Sequence, residues 1–328
     1  MAPLLSFFFN FLYTQWFKKP RYPDGSFEGK TVIVTGANVG LGFEAARHFV
    51  RLGAEKVVLA VRSVDKGEKA KADIETSTKR SGVVEVWELD LTSYRSVKEF
   101  AARAATLERL DVLLENAGIA TQNFKLAEEN ETTITTNVVS TFLLGLLLLP
   151  KLKETATVHN TRPHLTIVSS GVHLVAKFEE RNNPSIFDAL NDPKTVHMSD
   201  RYNVSKLLEV FAVRQIVADY CPDSSKYPVV INYIGPGLCH SGLMREVGAW
   251  QYVFKFIMGA RTTEVGSRTL VDAACKGPES HGRYLTDCTI ADPAPFVLTE
   301  EGKKTQERVW KELSAKLEKI QPGILDNI

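Results

Sequence analysis

The 328-residue sequence predicts one α/β domain built on a doubly wound parallel sheet of about seven strands flanked by helices. Three observations predict it. Short β-branched runs alternate with helical stretches from Thr31 onward, as in strands buried on both faces and joined by right-handed crossovers. A glycine-rich loop, Thr35–Gly42, joins the first strand to the first helix. Tyr202 and Lys206 share a later helical face, downstream of a strand-like run that ends in Ser169-Ser170.

Thr31–Thr35 reads as the first strand and Phe43–Arg51 as the helix after it, closing near Gly53. Lys56–Val61 is the second strand, followed by a lysine-rich surface helix, Asp65–Arg80. Val83–Leu89 is the third, then an alanine-rich helix at Ser93–Leu107, and Asp111–Leu114 is the fourth. Thr133–Leu149 is an apolar helix expected to stop at Pro150, which has no backbone donor to offer. Its Leu146–Leu149 run is too short to span a bilayer and is assigned to the core or a homodimer interface. Leu165–Ser169, Val229–Ile234 and Gly282–Thr286 supply three more strands, with the Tyr202 helix at Asp200–Tyr220 among them. Thr299–Ile320 is a charged terminal helix, expected to be a solvated face. No repeat or low-complexity linker divides residues 25–328.

Composition narrows the function. With 44% hydrophobic residues, 24% charged residues and a net charge of +1, the chain can fill a core but gives no electrostatic case for nucleic acid. Its four cysteines show no Cys-x-x-Cys spacing, so they read as reduced intracellular thiols; no metal site is expected, His159 and His164 merely flanking a loop. Residues 1–24 form a separate aromatic-rich segment. Leu4–Tyr13, Trp16 and Phe17 lead into Lys18, Lys19 and Arg21, without a cleavage-site pattern or the length of a membrane span. Two readings stand: an interfacial helix giving peripheral membrane contact, on the endoplasmic reticulum face for instance, or a segment packed on protein within the cytoplasm.

The glycine loop is a cofactor signal. Gly36, Asn38, Val39, Gly40, Leu41 and Gly42 lie where a tight turn brings backbone to a pyrophosphate and aims a helix N-terminus at its charge. At the end of the second strand, an acid would accept from a ribose 2′-OH. Val61 and Arg62 stand there instead, and a guanidinium pairs with a 2′-phosphate, so NADP(H) is the expected cofactor.

Taken in order, Thr35–Gly42, Asn116-Ala117-Gly118, Asn137, Ser170, Tyr202/Lys206 and Pro236-Gly237 make the chain resemble the short-chain dehydrogenase/reductase family over about Thr31–Thr286. The long Ser170–Tyr202 interval and Arg62 look like its retinol-dehydrogenase-like branch, and the N-terminal segment looks like that of fungal members. One departure is Glu115 where the family usually has a first Asn before Asn116-Ala117-Gly118. The resemblance implies a Rossmann-type fold with Tyr202 as general acid/base, Ser170 polarising the carbonyl, and Lys206 lowering the Tyr202 pKa while bonding the nicotinamide ribose. Asn137 would hold a water linking Lys206 to solvent. Asp90 and Leu91 would meet the adenine, although Asp90 also reads as a helix cap before Ser93. Asn116, Ala117, Gly118, Pro236, Gly237 and Ser241 would complete the cofactor site.

Between strands, residues 171–200 and 238–260 are longer than compact members need. Phe178, Pro184 and Phe187 in one, and Met244, Trp250, Tyr252, Phe254 and Phe256 in the other, suggest lids over a lipophilic substrate; a small covering subdomain is the alternative. The expected activity is interconversion of a ketone or aldehyde and an alcohol on a hydrophobic small molecule. A noncatalytic NADP-binding regulator of the same fold is the competing reading.

Overall fold

The computed structural model describes residues 12–240, 242 and 257–328. Strands β1 (Thr31–Thr35), β2 (Lys56–Val61), β3 (Val84–Glu88), β4 (Val112–Glu115), β7 (His164–Val168), β8 (Val230–Gly235), β9 (Tyr284–Thr286) and β10 (Thr289–Ala291) form one sheet in the order β10-β9-β8-β7-β4-β1-β2-β3. A separate two-stranded hairpin joins β5 (Leu126–Ala127) to β6 (Asn130–Glu131). All main-sheet pairings are parallel except β9–β10. The eighth strand escapes sequence reading because Thr289–Ala291 has three residues and lies partly exposed at the edge, too short for a period to show.

Helices α1 (Gly40–Arg51), α2 (Val64–Thr78), α3 (Tyr94–Ala105), α4 (Thr132–His159), α5 (Ile186–Asn191), α6 (Met198–Tyr220), α7 (Thr263–Ala273) and α8 (Glu300–Ile320) cover both faces. Strand alternation divides the core. Val32 and Val34 of β1 join Ala45, Phe49, Ile74 and Leu270 on the side of α1, α2 and α7. Ile33 joins Phe100, Leu144, Leu208 and Leu313 on the side of α3, α4, α6 and α8.

Two helices depart from expectation. Helix α4 does not stop at Pro150 but runs through it to His159. The proline removes the donor for the Leu146 carbonyl, and Asn327 Nδ2 supplies one at 3.1 Å, so the ladder gap is filled by the C-terminal turn. The apolar run around it is core, with Leu146, Leu148 and Leu149 all buried. Helix α8 is not a solvated rod. Val309, Trp310, Leu313 and Leu317 recur at helical spacing and are buried against α6, and only the opposite face carries the charges.

In residues 171–200, expected as a lid or a covering subdomain, the large apolar side chains pack into the core. Phe178, Ile186, Phe187 and Leu190 are at most 1% exposed. The α8 carboxylate Glu312 accepts from the Ile186 and Phe187 N–H groups at 3.0 and 2.9 Å, capping α5. The second expected lid, 238–260, lies outside the described residues at position 241 and from 243 to 256.

Candidate active site

The strand order reverses between β1 and β4, leaving a crevice outside their carboxyl ends. The loops after these two strands meet there. Gly36 and Gly40 have φ of +65° and +69°, a conformation that costs a residue with a Cβ. The Thr35 hydroxyl accepts from the Asn116 and Ala117 N–H groups at 3.0 and 2.9 Å, while Asn116 Nδ2 donates to the Thr35 carbonyl at 2.9 Å. Asn116 therefore pins the glycine loop. A Cβ on Gly42 would stand 2.4 Å from that Nδ2 and 2.7 Å from the Gly36 carbonyl, so α1 packs against the loop with no room to spare. Helix α1 begins at Gly40 with no side-chain cap and no acid in its first turn. Its orphan N–H groups face the loop mouth beside half-buried Asn38, exposed Val39 and half-buried Leu41, an arrangement that suits a pyrophosphate.

Along the crevice, Arg62 follows buried Val61 and is exposed, and it makes no hydrogen bond or ion pair among the described residues. Asp90 Oδ1 accepts from the Thr92 N–H and hydroxyl at 2.9 and 2.7 Å. It closes a turn, and the cap of α3 is Ser93, whose hydroxyl accepts from the Ser96 N–H at 3.4 Å. The Leu91 side chain is buried in the core. At the other end, buried Pro236 and half-buried Gly237 follow β8, and Gly237 has φ of +76°. Ser241 lies outside the described residues.

The catalytic candidates converge between β7 and α6. The two serines take different partners, as alternation requires: buried Ser169 donates to the Lys206 carbonyl at 3.0 Å, and Ser170 Oγ accepts from the Val172 N–H at 3.3 Å while its hydroxyl acts to lower the Tyr202 pKa. Lys206 Nζ lies 5.8 Å from the Tyr202 ring centre. It donates to the Val168 carbonyl at 2.8 Å and to Glu209 Oε1 at 2.7 Å, leaving its third donor toward the crevice near Gly118.

Lys206 does pull the Tyr202 phenol down, but burial pushes it up more strongly and the Glu209 charge adds to that, so Tyr202 lies above its ordinary value. The Asn137 side chain does not reach toward solvent. It clasps the next loop, accepting from the Ile119 N–H at 2.9 Å and donating to the Ile119 carbonyl at 2.9 Å and Ser205 Oγ at 3.0 Å. It sits in a π-helical turn, Thr135–Val139, inside α4, so any water held here would lie on the backbone of that turn.

Three residues in the site were not anticipated. His173 donates through Nδ1 to the Ser170 carbonyl at 2.6 Å and accepts at Nε2 from the Ala294 N–H at 3.1 Å. Burial lowers its pKa to about 4, so the ring is neutral and holds the Ser170 turn in place. Arg261 ion-pairs with Asp287 at 2.5 Å and donates to the Thr14 and Lys18 carbonyls at 2.9 and 3.0 Å. It thus ties the helical turn at residues 12–17 to Gly237, whose Cβ would lie 2.7 Å from Gln15 Nε2. Glu209 is the third. Only Glu209 left a signal in the sequence: a carboxylate three positions after Lys206 on one helix.

A parallel sheet with a glycine loop at its switch point and a Ser–Tyr–Lys cluster beside it defines a nucleotide-dependent oxidoreductase architecture. The short chain dehydrogenase profile matches residues 30–172. The short chain dehydrogenase/reductase dmxR8 of Cryptosporiopsis sp. is 54% identical over 327 residues, spanning 97% of this chain and 99% of its own. The short chain dehydrogenase atnD of Emericella nidulans is 47% identical over 294 residues, covering 87% of this chain and 92% of its own. Among solved structures, an uncharacterised protein from Mycobacterium paratuberculosis superposes with a TM-score of 0.65 at 27% identity, over 90% of this chain and 95% of that one. The chain belongs to the short-chain dehydrogenase/reductase family, whose members bind a nicotinamide cofactor.

Proposed function

We propose that this oxidoreductase uses NADP(H) to interconvert a ketone or aldehyde and an alcohol on a hydrophobic small molecule, of polyketide, terpenoid, steroid or retinoid-like type. The observation that carries the reading is the grouping of Ser170, Tyr202 and Lys206, with Lys206 Nζ 5.8 Å from the Tyr202 ring, at the mouth of the switch-point crevice. The nicotinamide supplies hydride when bound. Charge then builds on the carbonyl oxygen, where Ser170 donates a hydrogen bond and Tyr202 gives its proton. Lys206 balances the phenolate that is left.

Exposed Arg62 after apolar Val61 supports NADP(H) over NAD(H), because it offers a cation and no ribose-binding acid. Exposed Val175 in the turn after Ser170 supports an apolar substrate. For location, Tyr13, Trp16 and Phe17 are 58%, 50% and 75% exposed beside exposed Lys18 and Lys19, which supports peripheral contact with an anionic membrane. The test is turnover of a carbonyl panel with NADPH by wild type and Tyr202→Phe. A positioned acid contributes roughly 10²–10⁴-fold, so the variant should lose that much while still binding NADPH. An active Tyr202→Phe enzyme would overturn the assignment, and an inactive wild type across the panel would favour a noncatalytic cofactor-binding protein.

A further inference from the structure

Behind Lys206, on the side away from the crevice, lie two carboxyl groups that the proposed reaction does not use. Glu209, on the same helix, holds Lys206 Nζ at 2.7 Å; the two side chains are 2% and 4% exposed. Glu115, at the end of β4, is 4% exposed and faces Glu209 from across the core. Neither Glu115 oxygen nor Glu209 Oε2 has a hydrogen-bond partner. The Glu115 carboxyl points toward α4, where a Cβ on Gly145 would lie 3.4 Å from Oε2.

A buried ammonium is held charged only by a partner, and two buried carboxylates side by side do not both ionise. We infer that Glu209 is a positioning residue for the reaction, the counter-ion that keeps Lys206 charged and fixed beneath Tyr202, with Glu115 remaining neutral so that a single negative charge faces the single positive one. The inference rests on the proposed roles of Tyr202 and Lys206. The charged and titratable groups facing Glu209 are Lys206 and Tyr202 from its own helix and Glu115 from β4, with the Ser169 hydroxyl beside it. Burial carries Glu115 well above the carboxylate range, and Glu209 above it to about 7. Glu209 raises Lys206 and Tyr202 in turn.

The sign of the test follows. Carbonyl reduction needs Tyr202 protonated and Lys206 charged, so activity falls as pH rises through either pKa. Removing the Glu209 charge lowers both. In Glu209→Gln the alkaline limb of kcat/KM for reduction with NADPH should therefore move to lower pH by at least about one unit, the size an opposite charge at this range produces. The acid-side plateau should be largely kept. Glu209→Asp, which retains the charge but draws it back by one methylene, should restore most of the shift. An alkaline limb superimposed on wild type in Glu209→Gln, even with a uniformly lower rate, would overturn the inference, since a structural role changes rate without moving the limb. If Glu209→Gln does not fold, Glu209→Asn carries the same test: an alkaline limb moved to lower pH supports the inference, and an unmoved limb overturns it. Tyr202→Phe separates the two levels. Loss of turnover there with an unmoved Glu209→Gln limb removes only the role of Glu209, whereas retained turnover removes the reading beneath it.

Discussion

Glu115 and Asn116 are adjacent at the end of β4, yet they serve two differently built regions. Asn116 turns into the cofactor cradle, where the polar atoms that set the geometry are neutral and paired: the Thr35 hydroxyl with two N–H groups, and the Asn116 amide with the Thr35 carbonyl. Glu115 turns into the catalytic half, where buried charge is only partly matched. Glu115 has no partner, Glu209 has one, and Arg201 beside Tyr202 is fully buried with two of its nitrogens, Nε and Nη1, making no hydrogen bond. The cradle derives its shape from backbone and glycine, so it is rigid and indifferent to pH. The catalytic half depends on coulombic pairing in a poorly polarisable interior, where each charge raises or lowers its neighbours. Sensitivity to pH and to single substitutions should concentrate there.

Arg201 offers the largest break in this contrast. Its Nε and Nη1 lie 3.4 and 3.5 Å from Glu131 and Glu180, and Nη2 donates to the Leu190 carbonyl at 2.8 Å. The guanidinium thereby fastens the 171–200 subdomain to the start of the catalytic helix. Arg201→Ala leaves two buried acids without their cation, which should cost about 3–5 kcal/mol of stability. Denaturant unfolding measures it. A loss below about 1 kcal/mol would mean the triad is as weak as a surface pair and the catalytic half is no more charge-dependent than the cradle.

At the cradle, the sharpest test concerns its one exposed cation. Arg62→Ala combined with Val61→Asp should move the ratio of kcat/KM for NADPH over NADH by about ten- to a hundredfold toward NADH, the range of one charge-assisted hydrogen bond of roughly 1.5–3 kcal/mol. Melting temperature should fall in the double variant, because Val61 is buried, whereas Arg62→Ala alone, at an exposed position, should scarcely change it. Unchanged selectivity would place phosphate recognition on another residue.

The same division explains what could be read from sequence. The cradle was legible because glycine spacing and strand-end position encode backbone geometry directly: Gly36, Gly42 and Asn116 all meet where their order along the chain suggested. Ser170, Tyr202 and Lys206 could be placed by helix and strand periodicity. Their energetics could not. Whether Lys206 or burial dominates Tyr202 depends on Glu209 and on packing density, neither of which a Tyr-x-x-x-Lys pattern contains. Long-range partners were equally hidden, as with Asn327 rescuing the carbonyl at Pro150 and His173 reaching Ala294 from 121 positions away.

The smallest expected effect concerns the N-terminal segment, which links the two halves to the surroundings. The segment is distant in sequence from the catalytic residues, yet Arg261 fixes the helical turn at 12–17 beside Gly237. One side of that turn, at Gln15, is buried on the domain; Tyr13, Trp16 and Phe17 face outward. Deleting the segment would therefore disturb Gly237 as well as remove any lipid contact, and a charge substitution separates the two. Each basic residue near an anionic bilayer contributes about 1 kcal/mol, so Lys19→Gln should weaken recovery with anionic liposomes by roughly fivefold and leave recovery with neutral ones unchanged. NADPH turnover should not move, because the Lys19 side chain is exposed and its backbone carbonyl is not among the Arg261 acceptors. Wild type that stays entirely soluble with anionic liposomes would assign the aromatic face to contact with protein instead.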